Sequence, residues 1–234
     1  MLWLPIMDDR MMNKTLTNIR HRLLALDTAS VSDALDSIYI AGGIQGIKPQ
    51  VAGHKIAGPA FTVQYEAYEP EKNTFMNAGT YIDEVPEGAV IVVDNQGRND
   101  CTSWGNILTT KALQKNIAGT VIHGSARDIS DIRKMNYPLF AANIFMVSGK
   151  NRARIKAVQC GLNINGVKIE PGDWIMGDDN GVLVIPRDNL MEVVLRAENV
   201  EKTEHRILSN ISEGTKLEDA RNALGYAVPW ELKG

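Results

Sequence analysis

The sequence has few cysteines, no long apolar stretch and little net charge. Only two of its 234 residues are cysteines, Cys101 and Cys160, so it is not a disulfide scaffold. No apolar stretch reaches the ~20 residues that a membrane span needs. The 25 basic and 28 acidic residues leave a formal charge of −3. We therefore expect a protein of the reducing cytoplasm, with neither a membrane nor a nucleic acid as partner.

The composition that is present is that of an ordinary globular chain. Hydrophobic residues make up 44% and charged residues 23%, which excludes disordered and collagen-like chains. Residues 13–234 show no internal repeat and no linker, and we interpret them as one domain. Residues 1–12 are interpreted as an N-terminal extension, because Met11 and Met12 directly precede the first helical pattern.

The order of predicted elements favours a mixed α/β fold. Apolar strands alternate with helices through the first half of the chain, which is typical of a parallel sheet covered by helices. After Pro138 the elements become short strands joined by tight turns, followed by two helices. The predicted helices are 13–26, one opened by a capping box at Ser30–Asp33, 74–82, 104–115, 129–135, 189–212 and 217–224. The predicted strands are 60–65, 88–94, 119–123, 139–147, 154–159, 162–169, 173–177 and 182–185.

The candidate functional residues follow two predicted strands, because ligands of open α/β sheets bind at the carboxyl ends of strands. Residues 94–105 follow one strand, and residues 123–128 follow the next. Arg127 and Asp128 there have two interpretations. Either Asp128 caps the following helix and Arg127 is surface charge, or Asp128 holds a divalent cation while Arg127 grips a substrate carboxylate.

The helix predicted from Trp104 adds anion-binding groups to this site. Its inner face is predicted to be Trp104, Ile107, Leu108 and Ala112. The backbone amides of Gly105, Asn106, Ile107 and Leu108 lie at its start, where they lack helical acceptors and favour an anion. With Mg²⁺ on Asp128, these parts would clamp a 2-oxo acid.

An ordered set of motifs over roughly residues 25–215 resembles the regulator of ribonuclease activity A family. That family includes 4-hydroxy-4-methyl-2-oxoglutarate aldolases and oxaloacetate decarboxylases. The matching segments are Ser32-Asp-Ala-Leu35, Ala57-Gly-Pro-Ala60, Val92-Val-Asp94, Trp104-Gly-Asn-Ile-Leu108, Gly119-Thr-Val-Ile-His-Gly-Ser-Ala-Arg127-Asp128-Ile-Ser-Asp131, Pro138-Leu-Phe-Ala141, Pro171-Gly-Asp173 and Gly177-Asp-Asp-Asn-Gly-Val182.

The resemblance implies a three-layer β/β/α swivelling-domain fold, assembled as a homotrimer or hexamer with active sites between subunits. It implies that Arg127 binds the carboxylate and keto end of a small 2-oxo acid, and that Asp128 ligates the metal, Mg²⁺ or Mn²⁺. The turn at Gly105, Ile107 and Leu108 would donate amides. The implied reaction is a metal-dependent cleavage of a 2-oxo dicarboxylate through a pyruvate enolate.

The chain departs from the family at position 106. The family has an aspartate there that orients metal-bound water, whereas this chain has Asn106. An amide can hydrogen-bond water but cannot take up a proton. Asp131 could compensate as a catalytic acid, or it could be a solvated carboxylate in the first turn of its helix. The departure leaves open two other functions: a non-catalytic regulator that binds a ribonuclease, and a family enzyme of altered specificity.

Other ionisable residues are weaker candidates. Asp94 and Asp100 lie in the first loop, and the resemblance suggests that Glu201 or Glu204 enters a neighbour's pocket, although a solvated helix face is favoured. A competing Schiff-base mechanism would need a buried lysine. We would consider only Lys111 and Lys168 for it, and both are expected at the surface. His123 is expected to be a packed, hydrogen-bonded histidine.

Overall fold

The computed structural model describes residues 9–69 and 79–231, in which the chain forms twelve strands and six α-helices. The helices are α1 (Asp9–Ala25), α2 (Thr28–Asp36), α3 (Asn106–Gln114), α4 (Ile129–Lys134), α5 (Leu190–Ser212) and α6 (Leu217–Leu224), with 3-10 helices at Thr80–Glu84 and Arg187–Asn189. The strands are β1 (Gly43–Ile44), β2 (Lys48–Pro49), β3 (Ile56–Ala67), β4 (Val90–Asp94), β5 (Thr102–Trp104), β6 (Gly119–Ala126), β7 (Leu139–Ile144), β8 (Ala153–Val158), β9 (Leu162–Ile164), β10 (Val167–Ile169), β11 (Trp174–Asp178) and β12 (Gly181–Ile185).

The twelve-residue strand β3 joins two halves of one sheet. Its first half pairs antiparallel with β11, and its second half pairs parallel with β4. The sheet order is β1-β12-β11-β3-β4-β6-β7-β2, with β5 beside β6 and β8 beside β3. The run β3-β4-β6-β7 is parallel, as the alternation of strands and helices predicts.

Alternating side chains of the buried strands divide the core into layers. On β4, Val90 and Val92 pack in the interior between the two halves of the sheet, whereas Ile91 and Val93 pack in the cluster that contains α3 and α4. On β11, Ile175 faces the same interior. The expected β/β/α layers are confirmed. Helices α1, α2 and α5 add a helical layer on the outer face of the antiparallel half.

Several predicted boundaries are wrong for local reasons. Helix α2 begins at Thr28 rather than at Ser30, because the side chain of Asp27 accepts the Ser30 amide at 2.7 Å and caps the helix earlier. The predicted strand 162–169 is a hairpin of β9 and β10. Its turn residues Asn165 and Gly166 both have positive φ, as a type I′ turn requires.

The predicted helix from Trp104 begins at Asn106, because Thr102–Trp104 forms strand β5 beside β6. Ile107 is 78% exposed, so its predicted place on the inner face of the helix is wrong. Of the predicted helix 74–82, residues 74–78 lie outside the described residues, and Thr80–Glu84 is a 3-10 helix. Residues 1–8 of the predicted extension also lie outside them. None of the described helices has the length and apolarity needed to cross a membrane.

A buried carboxylate joins the antiparallel half of the sheet to its helices. Asp178, at the end of β11, accepts hydrogen bonds from the backbone amide and hydroxyl of Thr28, at 2.9 and 2.7 Å, and from the Asn180 amide at 2.8 Å. Burial by itself raises the pKa of Asp178. The hydrogen bonds from Thr28 and Asn180 outweigh burial, and the pKa lies below its ordinary value.

Replacing Asp178→Ala should lower the free energy of unfolding by roughly 2–4 kcal/mol at pH 7, because buried donors lose a charged acceptor. A carboxylate whose pKa is lowered by folding contributes stability above its unfolded pKa, and this contribution disappears as the pH falls through the folded pKa. Urea titrations should therefore show the difference between the proteins shrinking below about pH 4. Asp188→Ala is the matched control, because the Asp188 side chain is 93% exposed. Equal effects of the two variants would contradict this role.

Candidate functional site

A cavity of about 430 Å³ opens where β5 and β6 end and α3 begins. One wall is formed by residues 102–108 together with Arg127 and Asp128. Residues 148–150 and Ala153 form a second wall. The remaining lining residues are Tyr65, Gly79, Thr80, Ile82, Asp83 and Lys111.

Parallel pairing of β5 with β6 brings the two predicted loops to one place. Thr102 pairs with Ser125 and Trp104 with Ala126. The Arg127 amide then donates to the Trp104 carbonyl at 3.0 Å. Gly105 and Arg127 therefore lie side by side, each one residue beyond its strand.

Asp128 turns its carboxylate toward α3 rather than toward its own helix. The residue has φ 59°, a left-handed conformation that aspartate tolerates better than most side chains. Its side chain makes no capping hydrogen bond to α4. Its Oδ2 instead accepts the Asn106 amide at 3.1 Å and lies 3.7 Å from Nε of Arg127. The interpretation that Asp128 merely caps its helix is therefore wrong.

The same contact corrects the predicted set of free amides at the start of α3. Gly105 is the N-cap residue, and the Asn106 amide is already bound to Asp128. The amides of Ile107 and Leu108 follow in the first turn, where a helix supplies no acceptor. These two amides and the positive end of the helix dipole are the groups left for an anion.

Gly105 is required by the closeness of the two loops. A Cβ atom at this position would lie 2.6 Å from Oδ2 of Asp128 and 3.3 Å from Cγ of Arg127. Its φ of −163° is extended backbone that any residue adopts. The requirement for glycine is therefore one of space beside the carboxylate rather than of backbone conformation.

Buried contacts of Trp104 hold the turn in place. Its indole Nε1 donates to the Thr109 hydroxyl at 2.8 Å, and that hydroxyl donates to the Gly105 carbonyl at 3.1 Å. The ring is 2% exposed and stacks on Tyr137 with 6.2 Å between centroids. Trp104 thus supports the site by packing.

The structure brings Gly105, Asn106, Ile107, Leu108, Arg127 and Asp128 together on one cavity. It places the remaining candidates elsewhere. Asp131 is 53% exposed at its side chain, pairs with Lys134 at 3.1 Å and is not part of the cavity wall. A catalytic role for Asp131 stays a prediction.

The other acidic candidates also have partners or positions away from this cavity. Asp94 bonds Nδ1 of His123 at 2.8 Å, so His123 is the packed, hydrogen-bonded histidine that was expected. Asp100 pairs with Arg98 at 2.7 Å. Glu204 lies on a second, smaller groove between α5 and α6.

Sequence reasoning missed the walls contributed by distant segments. Nζ of Lys111 pairs with Oδ1 of Asp83 at 3.0 Å on the cavity surface. Lys111, which the sequence offered only as a weak Schiff-base candidate, lies four residues after Ile107 and therefore on the same helix face. Asp83 and residues 148–150 reach the site only through the tertiary fold, and no local pattern marks them.

The residues present fit a single-carboxylate cation site. Among the described residues, no group of three or more histidine, cysteine or acidic side chains is arranged to hold a metal ion. The Asp128 side chain is 32% exposed on the cavity and uses Oδ2 for the Asn106 amide. Mg²⁺ suits such a site, because it keeps several waters and takes one or two carboxylates.

Comparison with known proteins shows the family. Residues 28–184 match the model of the RraA-like family, described as Aldolase/RraA. The chain belongs to the RraA-like family. A crystal structure of an uncharacterized protein from Pseudomonas syringae pv. tomato superposes with a TM-score of 0.81 at 50% identity. That match covers 88% of this chain and 97% of the other.

Two curated relatives extend the comparison. Protein DlpA of Legionella pneumophila is 50% identical over 216 residues, which are 92% of this chain and 35% of DlpA. This chain therefore spans about a third of the length of that relative. A Halalkalibacterium halodurans protein is named "Putative 4-hydroxy-4-methyl-2-oxoglutarate aldolase". It is 31% identical over 79% of this chain and 86% of its own length.

Replacing Gly105→Ala should disturb the site while leaving the fold intact. The new methyl group must push the Asp128 carboxylate away, since the two would otherwise lie 2.6 Å apart. We expect calorimetry with oxalate and Mg²⁺ to show binding weakened by roughly tenfold or more. The melting temperature should fall by only a few degrees.

The matched control is Gly43→Ala, because a Cβ there meets no atom within 4 Å and its φ is not positive. It should bind oxalate as the wild type does. Wild-type oxalate affinity in Gly105→Ala would show that the position of Asp128 does not matter for the anion.

Proposed function

We propose that this chain is a carbon–carbon lyase that cleaves a 2-oxo dicarboxylate and releases pyruvate through its enolate. The observation that carries the proposal is the meeting of Arg127 and Asp128 with the start of α3 on one cavity. The aldolase name of a relative at 31% identity supports the same class of reaction.

Arg127 and α3 supply the anion-binding half of the site. The guanidinium offers a planar fork that matches a carboxylate. Its side chain is 33% exposed and lies beside the helix start, and Ile107 and Leu108 line the same cavity. These groups would bind the carboxylate next to the 2-oxo group and fix the orientation of the substrate.

Asp128 supplies the cation-binding half. Its carboxylate would hold a divalent cation, Mg²⁺ or Mn²⁺, with water and substrate oxygens as the other ligands. When bound, such a cation acts as a Lewis acid toward negative charge on a neighbouring oxygen. The Asn106 amide and Arg127 Nε hold the carboxylate in place.

The keto group is at C2 of the substrate, and the reaction breaks the bond between C3 and C4. Oxaloacetate would lose CO₂. An aldol substrate would lose a second 2-oxo acid, and the proton of its 4-hydroxyl group, which becomes the carbonyl of that acid, would pass to water. In both cases the electron pair of the broken bond forms the enolate of pyruvate, which then takes a proton from water at carbon. The Asn106 side chain can orient that water by hydrogen bonding, but it cannot supply the proton.

Assembly as a trimer or hexamer would complete the site. Ile107 is 78% exposed on the cavity wall. Ile144 and Met146 are 46% and 73% exposed, and Ile144 pairs with Ala126, one residue before Arg127. Exposed apolar side chains next to a site favour burial against another subunit. A glutamate from that subunit, Glu201 or Glu204, could then enter the cavity.

Asn106 supports a second candidate function. Without the acidic side chain at this position, the chain could be a family enzyme of altered specificity, or a regulator that binds a ribonuclease without catalysis. Replacing Asn106→Asp distinguishes these two alternatives from the native lyase. A large gain of aldolase activity in that variant would favour both alternatives over the native lyase.

The direct test is pyruvate release from oxaloacetate, coupled to NADH oxidation by lactate dehydrogenase. We expect a rate above background with Mg²⁺ or Mn²⁺ that a chelator abolishes. Asp128→Ala should lower it by roughly 100-fold or more, because the site loses its cation ligand. Arg127→Lys should lower it by at least about tenfold, because lysine lacks the planar fork.

Asp188→Ala serves as the control, since this exposed carboxylate lies outside the cavity wall. The proposal fails if the wild type shows no metal-dependent pyruvate release from oxaloacetate or from 4-hydroxy-4-methyl-2-oxoglutarate.

A further inference from the structure

A second cation lies on the same cavity as Arg127, one turn further along α3. Lys111 lines the cavity, and its side chain is 38% exposed. It shares a helix face with Ile107 and Leu108, at spacings of four and three residues. Arg127 lies beside Gly105 at the start of α3, and Lys111 lies more than a turn further along the helix. Ile107 and Leu108 lie between these positions in the helix and also line the cavity.

We propose that Lys111 binds the distal carboxylate of the substrate and makes the site selective for dicarboxylates. This inference rests on the proposed function, since it takes the carboxylate next to the keto group to be bound at Arg127. A four- or five-carbon diacid has one apolar segment between two anionic ends. The two cations and the apolar face reproduce that pattern in the same order.

Helix geometry makes the spacing suitable. Lys111 lies five positions after Asn106, which is about 7.5 Å along the helix axis. The Cα–Cβ bond of a helical residue leans toward the helix N-terminus, so the long lysine stem reaches back toward the anion-binding end. The carboxyl carbons of a four- or five-carbon diacid lie about 4–5 Å apart, given C–C bonds of about 1.5 Å.

Asp83 occupies the position that the substrate carboxylate would take. Its Oδ1 lies 3.0 Å from Nζ of Lys111, and its side chain is 68% exposed. Ion pairs this exposed contribute little stability. A substrate carboxylate can therefore replace Asp83 as the partner of Lys111 at small cost.

Lys111 is a better candidate than the other lysine on the cavity. Lys150 also lines it, but it is an exposed residue of a turn between β7 and β8. Lys111 is half-buried on a helix whose start is fixed by the contact between Asn106 and Asp128. A cation held on a fixed helix loses little freedom on binding.

Calorimetry with two probes tests this role without relying on turnover. 2-Oxoglutarate is the dicarboxylate probe and 2-oxobutyrate the monocarboxylate probe, each with Mg²⁺ present. Lys111→Met should weaken 2-oxoglutarate binding by roughly tenfold or more, because a charge-assisted contact is lost. Its affinity for 2-oxobutyrate should change by less than about twofold.

Two further variants separate recognition from structure. Asp83→Asn removes the same ion pair but leaves the lysine, so it should not weaken the binding of 2-oxoglutarate. If the pair only held the fold, Asp83→Asn and Lys111→Met would behave alike. Lys115→Met is the matched control at the C-cap of the same helix, because Lys115 donates to the Asp83 carbonyl and does not line the cavity.

Each outcome decides between the two proposals. If the wild type binds neither probe, the proposed function itself fails. If it binds both and Lys111→Met weakens them equally or not at all, the role of Lys111 is wrong while the proposed function stands. If Lys150→Met selectively weakens the binding of 2-oxoglutarate and Lys111→Met does not, the distal carboxylate is bound by Lys150 instead.

Discussion

The hydrogen bond from the Asn106 amide to the Asp128 carboxylate ties together two loops that lie 22 residues apart. It holds because Gly105 leaves no side chain between them. It also commits Asp128 to the start of α3, although the residue stands at the start of α4. One contact thereby orients a carboxylate, places Arg127 beside it and fixes the end of a helix that can bind an anion.

The sheet brings these two loops together at one of its edges. β5 and β6 run parallel and end together, so each loop leaves the sheet beside the other. The strands that end at this edge are buried on both faces, with α3 and α4 packed over one side. Residues 148–150 and the 3-10 helix Thr80–Glu84 then close the cavity from segments far away in the chain.

Sequence reasoning could identify the strand ends, because apolar runs followed by Arg127 and Asp128 are local patterns. It could not show that Asp128 contacts Asn106 rather than capping α4, since both arrangements fit the same residue order. Strand β5 was missed because three residues next to a polar loop carry little periodicity. The pair of Asp83 and Lys111 depends on tertiary packing alone. The position of Ile107 was wrong because the outward face of α3 borders a cavity rather than the core.

We propose that Asp128 and the start of α3 together bind a divalent cation and a 2-oxo acid. The most direct measurement is anomalous scattering from crystals grown with Mn²⁺ and oxalate. We expect a manganese peak within coordination distance of the Asp128 carboxylate, with oxalate between the metal, Arg127 and the amides of Ile107 and Leu108. Manganese bound elsewhere, or oxalate bound away from Arg127, would contradict it.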